Sequence, residues 1–485
     1  MNKASLIVSA ILICAVQAIA QKNVVIKGKA PEYANYSLVL ETMINPISSE
    51  MRDLHTIKVD KEGAFYEVIE INEITYASLD VGRFRGNIYL EPGQSYELIL
   101  PPFQPRTDAE RFNPFFIPED VVIGIANKEA QALNRTIIEF DYAFQQLYDE
   151  NAMSIFSRGN VKKANSIINE LDSLYPANVG SYFYKYKEYA YAELKTLAYK
   201  RQKRRVIEEV FTNNDVETNL PSFKTALNTV FKSFFTSYFS TSIGDSLKGA
   251  FTNQVGFDTL STILQTDPLF TNPELAEVVL LKGLYDAFYT GRYNEVQIIN
   301  LFNNAEKVGC SKEIKNLAKG LHKKVNWLRA GTRAPGFTLY RLDGKEKSLS
   351  DYEGHFVYLS FIHTENHACK QDLQLLNVIA KKMRRDVKLV TIILDEDPTN
   401  AEKMVKDNKY KWDFLHYGLM PKVVLDYDIK ALPVYYIIDP EGKLRLSPSP
   451  SPGEDFAPVF QEVIRQYKYE NLRRNRSKAK TIYDL

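Results

Sequence analysis

The chain has 485 residues, room for roughly two to four domains. Its 61 basic and 60 acidic residues leave a formal net charge of +1. That balance excludes a chain that is basic or acidic overall, and no nucleic-acid partner is expected. The 30 Tyr and 27 Phe, against 2 Trp, point to cores filled by aromatic rings.

Residues 1–20 read as a secretory signal peptide. Met1-Asn2-Lys3 is a short positive start, Ala4 to Val16 is apolar, and Ala18-Ile19-Ala20 offers a small-x-small cleavage site before Gln21. The apolar run is too short to span a bilayer, and no later stretch is long and apolar enough, so no transmembrane span is expected. Ile13 ahead of Cys14 argues against lipidation. A periplasmic or cell-envelope location follows. The mature chain keeps two cysteines, Cys310 and Cys369, too few for a disulfide scaffold. A bond between them is disfavoured because they fall in different predicted domains.

Residues 21–105 predict a β-sandwich-like domain. Asn23 to Gly28, Tyr36 to Leu40, Thr56 to Asp60, Ala64 to Ile69, Ile88 to Leu90 and Ser95 to Leu100 read as strands, with turns at Lys61-Glu62-Gly63 and Glu91-Pro92-Gly93-Gln94. Pro101, Pro102 and Pro105 close it, and 106–125 reads as a linker. Residues 126–330 predict a helical domain. Leu133, Ile137, Phe140, Phe144 and Leu147 recur at helical spacing, as do Ile167, Ile168, Leu171 and Leu174. Tyr182 to Glu209 reads as one long helix, whose Lys200–Arg205 patch reads as a solvated face.

Residues 331–470 alternate strands and helices, which requires parallel pairing with helical crossovers, and 471–485 form a basic tail. The fold class is therefore multidomain: an all-β sandwich, an all-α middle and a C-terminal α/β domain. Asp395-Glu396-Asp397 reads as a solvated acidic loop. No phosphate loop, Ser-His-Asp spacing or paired zinc cysteines occur, and no cofactor is expected.

The last third resembles the thioredoxin-like family, in its periplasmic thiol-disulfide reductase and AhpC/TSA-related forms. Ala334-Pro335-Gly336-Phe337-Thr338-Leu339, Asp343-Gly344 and Ser348-Leu349-Ser350-Asp351-Tyr352 look like its opening segment. Ala431-Leu432-Pro433-Val434 looks like its cis-proline loop, and Ile437 to Lys443 like the strand and turn that follow. The three-part layout is similar to a large envelope family of Gram-negative bacteria. The resemblance implies a Cys-x-x-Cys motif after the strand Val357 to Phe361. Here that segment is Asn366-His367-Ala368-Cys369. Cys369 falls on the resolving cysteine, and Asn366 replaces the attacking one.

Asn366 cannot attack a disulfide, but it can cap a helix. The reading is a binding or scaffold module with weak or no reductase activity. Its partner would be an extended polypeptide or envelope protein at the Pro433 groove, and self-association stays open. One alternative is a single-cysteine thiol-disulfide oxidoreductase or peroxide-reactive enzyme using Cys369. Another is copper or zinc binding through His363, His367 and Cys369.

Overall fold

The computed structural model describes residues 23–107, 110, 116–200, 202–383, 385–418 and 421–480. The expected signal peptide, with Cys14, lies outside the described residues. The chain divides into two compact units. Of the described residues, one unit holds those up to Arg106 together with those of Ile117–Val325; the other holds those of Thr107–Phe116 and those from Asn326 onward.

In the first unit the strands are β1 Asn23–Lys29, β2 Ser37–Asn45, β3 Glu50–Lys58, β4 Ala64–Glu70, β5 Thr75–Val81, β6 Phe84–Leu90, β7 Ser95–Ile99, β8 Glu119–Val122 and β9 Gly124–Ile125. One sheet has the order β4-β1-β7-β9 and the other β3-β2-β5-β6-β8. Alternate residues point inward: Val24 and Ile26 of β1, Leu38 and Leu40 of β2, and Leu79 and Val81 of β5 share one buried core. That is the expected sandwich. Gly63 and Gly93 both have φ of 81°, as the hairpin turns predicted there require. Strands β8 and β9 fall inside the segment expected to link: β8 pairs parallel to β6, and β9 antiparallel to β7.

The longer helices of this unit are α1 Ala132–Arg158, α2 Val161–Leu174, α3 Tyr182–Tyr199, α4 Pro221–Val230, α5 Ser242–Thr252, α6 Phe257–Leu264, α7 Pro273–Phe288, α8 Glu295–Val308 and α9 Lys312–Asn326. The long helix expected from Tyr182 to Glu209 is broken. Lys200 takes φ of 48°, which ends α3, and the chain resumes as a short helix at Lys203–Ile207 and a π-helical turn at Glu208–Thr212. The basic patch is not simply a solvated face either. Arg204 clasps the fully buried Asp267 with two bonds, at 2.7 and 2.9 Å. Burial would raise the Asp267 carboxyl, but bonds from Arg204, the Leu269 N–H and the Tyr238 hydroxyl hold it below the usual range.

The sandwich keeps its own core but also contributes to that of the helices. Ile47 and Tyr89 of the β region pack in the same cluster as Phe140, Tyr186 and Phe223. At the seam the buried Asn134 side chain accepts from the Tyr89 N–H and donates to the Tyr89 carbonyl, both at 2.8 Å. Asn45 donates to the Leu317 carbonyl at 3.1 Å, and Asn228 to the Pro46 carbonyl at 3.1 Å.

The second unit carries β10 Thr338–Arg341, β11 Glu346–Ser348, β12 Phe356–Ile362, α10 His367–Lys382, β13 Val387–Ile393, α11 Thr399–Asp407, β14 Asp413–His416, α12 Pro421–Asp426, β15 Val434–Ile438, β16 Leu444–Leu446 and α13 Phe456–Lys480. Its sheet order is β11-β10-β14-β13-β12-β15-β16. β12, β13 and β14 run parallel, and β15 and β16 are antiparallel to their neighbours. This is the thioredoxin-like arrangement. All seven residues of β12 are buried. Its Val357, Leu359 and Phe361 face one core, while Phe356, Tyr358 and Ile362 face the other, beneath α10 and α13.

Candidate functional site

The central strand β12 delivers the chain to the start of α10, and everything in the candidate site follows from that delivery. Asn366 is the N-cap, with extended φ and ψ of −73° and 124°. Its Oδ1 accepts the Cys369 backbone N–H at 3.2 Å, satisfying a donor that the first turn leaves orphaned. Its Nδ2 donates to the Leu432 carbonyl at 3.4 Å. The Leu432-Pro433 bond is cis, as expected. Asn366 thus ties the helix start to the proline loop, and the structure brings together Asn366, Cys369 and Pro433. His367 and Ala368 are exposed on the first turn.

Cys369 sits one turn into α10, completely buried among Phe356, Tyr358, Leu373 and Tyr435. Burial pushes its thiol up to about 11, opposed by a bond from the His363 backbone and reinforced by the Asp372 and Asp395 carboxylates. A helix N-terminus ordinarily favours the thiolate; here desolvation wins. At neutral pH the thiolate fraction is on the order of one in ten thousand. The nearby Asp372 accepts from the Tyr435 hydroxyl at 2.7 Å. Cys310 is exposed and Cys369 buried, and both are free thiols. The sulfur of Cys310 is likewise pushed up, to about 12, by desolvation and by Glu277.

The loop before the cap is anchored by a residue that the sequence reading placed in solvent. Asp395 is 4% exposed. It accepts from the Thr364 N–H at 3.0 Å and from the Thr364 hydroxyl, while its own carbonyl lies 2.8 Å from His416 Nε2. Glu396 and Asp397 are exposed loop residues, and Asp397 accepts from the Thr399 N–H and hydroxyl at the start of α11. The position of Asp395 two residues beyond a largely buried strand was the available signal, since a residue there emerges at the carboxyl end of the parallel strands, beside the motif.

The alternative of a metal site is not assembled. His363 Nδ1 accepts the Glu365 N–H at 3.2 Å and lies 3.9 Å from Asp395 Oδ1. Among the described residues no group of three or more His, Cys, Asp or Glu is placed to hold a metal ion. His363 ends the strand, His367 opens the helix outward and Cys369 turns inward, so the three do not converge.

Residues 330–447 match the AhpC/TSA family. Over 129 residues the chain is 26% identical to the thiol-disulfide oxidoreductase ResA of Bacillus cereus, covering 26% of this chain and 74% of that protein. It is 27% identical over 132 residues to the thioredoxin-like protein YneN of Bacillus subtilis, covering 27% and 77%. Among solved structures, the thioredoxin domain of a thiol-disulfide oxidoreductase from Bacteroides vulgatus aligns at 22% identity and a TM-score of 0.26, over 28% of this chain and 98% of that one. A thiol-disulfide oxidoreductase from Bacteroides fragilis aligns at 22% identity and a TM-score of 0.25, over 27% and 99%.

Proposed function

With a C-terminal domain that belongs to the thioredoxin-like family as the premise, we propose that this chain is an exported envelope protein whose thioredoxin-like domain binds an extended polypeptide beside Pro433 and has little or no disulfide reductase activity. One observation carries the reading: Asn366, which we read as standing where the attacking thiol would be, is bonded at both ends of its side chain, and Cys369 is fully buried. Disulfide exchange needs an accessible thiolate and a second thiol to resolve the mixed disulfide. Cys369 offers neither access nor charge, which weighs against a single-cysteine enzyme. Export rests on the N-terminal charge, apolar run and cleavage pattern. Among the described residues no helix is long and apolar enough to cross a membrane.

The test uses the purified full chain with insulin as disulfide substrate and dithiothreitol as reductant. The wild type should run at the uncatalysed rate, and Asn366→Cys, which rebuilds the dithiol across one helical turn, should raise the rate by at least about tenfold. Turnover by the wild type that is lost in Cys369→Ser would sink the proposal. In parallel, a carboxymethylated, permanently unfolded polypeptide should bind the wild type and bind Pro433→Ala more weakly. Equal binding by the two would remove the groove from the reading.

A further inference from the structure

The first unit contains a cavity of about 720 Å³ between the β2–β3 hairpin and α9, remote in sequence from the thiol motif. Its floor is Glu50. The Oε2 atom of Glu50 is shut off from solvent and has no hydrogen-bond partner. A buried carboxylate oxygen without a donor is destabilising, and native structures rarely tolerate one without a use. The backbone is shaped to admit it. Gly320 lies in the interior of α9, where glycine disfavours the helix. A Cβ at that position would stand 2.8 Å from Glu50 Oε2 and 3.0 Å from Asn45 Nδ2. Asn45 is itself 1% exposed and pinned to the Leu317 carbonyl, so it cannot swing away to relieve Glu50.

The rim has the opposite character. Arg52, Lys312, Lys319 and Lys323 surround the opening against the carboxylates of Glu50 and Glu313, and Asn219 and Asn316 add amides. The exposed part of the lining is therefore mainly cationic, and the shielded Glu50 oxygen is an acceptor waiting for a donor. A simple anion would be repelled by Glu50, and a simple cation by the rim. A ligand that satisfies both carries hydroxyl donors at one end and a negative charge at the other.

The geometry points to a binding site for a hydroxylated carboxylate, the chemistry of a sugar acid, with a ligand hydroxyl donating to Glu50 Oε2 and the ligand carboxylate held by the lysines of α9 and Arg52. This site goes beyond the thioredoxin-like reading and is independent of it.

The experiment titrates the full chain calorimetrically with D-glucuronate, D-glucose and acetate, with thermal unfolding in parallel. Glucuronate should bind at one site and raise the melting temperature, and glucose and acetate should each bind at least about tenfold more weakly. Glu50→Gln, which keeps the shape and removes the charged acceptor, and Lys319→Gln, at an exposed position, should each weaken glucuronate about tenfold or more. Absence of binding at millimolar glucuronate overturns the site, as does equal affinity for the three probes. Unchanged affinity in both variants overturns it as well. Because Lys319→Gln alters only an exposed side chain, a folding failure in Glu50→Gln leaves the decision with Lys319→Gln.

Discussion

Asn366 and Cys369 are three residues apart, and their physical roles have separated. Asn366 serves the backbone, while Cys369 serves the core. Replacing Asn366 by Ala removes the cap bond and should cost about 1 kcal/mol, whereas Ser or Asp should cost less than half of that. Denaturant unfolding followed by far-ultraviolet circular dichroism measures it, and an equal loss for Ala and Ser would refute the cap role. For Cys369 the pH dependence has a definite sign. Its ordinary value of 9.0 rises to about 11 in the fold. Folding therefore favours the protonated thiol. The contribution is complete below about pH 9 and is lost as pH climbs through about 11. Cys369→Ala should lessen the fall in stability over that range without abolishing it, because the buried Tyr358 and Tyr435 are also raised by burial and act in the same direction. Alkylation of native Cys369 should be far slower than after unfolding; equal rates would mean that the thiol is accessible.

At the scale of elements, the buried Asp395 and the half-buried Asp141 hold neighbouring segments in different ways. Asp395 binds the end of β13 to the Thr364 loop through charge-assisted bonds. Asp395→Ala leaves the Thr364 donors buried without an acceptor, and a loss of about 1–3 kcal/mol should follow. Amide exchange at Thr364 reports it locally; if protection there stays unchanged, the anchor is not Asp395. Asp141 of α1 behaves differently. It accepts from the Tyr186 hydroxyl of α3 at 2.8 Å, and burial raises its carboxyl to about 6 despite that bond. The protonated form is favoured by folding, so its contribution is full below about pH 4 and lost as pH rises through about 6. Asp141→Asn should therefore be more stable than the wild type at neutral pH and show a flatter profile between about pH 4 and 7, measured by thermal unfolding. A wild-type profile that keeps its slope in the variant would count against this account.

At the scale of the whole molecule, the β sandwich and the helices up to Val325 behave as one body, because Ile47 and Tyr89 complete the helical core and Asn134 pairs with the Tyr89 backbone on both sides. The sandwich and helical signals of this unit should therefore be lost together on heating. Asn134→Ala, which leaves two buried backbone groups of β6 unpaired, should lower both midpoints by the same amount, corresponding to about 2–3 kcal/mol. Separate midpoints in calorimetry and in residue-resolved exchange would show independent domains.

Much of this was legible along the chain because it depends on neighbours in sequence. Strand alternation, the glycine turns, helical periodicity, the cis-proline loop and the Asn366-His367-Ala368-Cys369 segment are local patterns, and the first three determined the order β, then α, then α/β. Strands β8, β9 and β14 were among those not legible. They are two to four residues long, and pairing with partners far away in sequence makes them strands. The burial of Asp395, the break at Lys200 and the clasp of Arg204 on Asp267 were decided by tertiary structure for the same reason: each depends on what a distant segment places beside the residue. The fate of Cys369 divides along that line. The absence of a second cysteine beside it is written in the sequence, whereas its burial, and the rise of its thiol that burial causes, come only from the packing of α10 against the sheet.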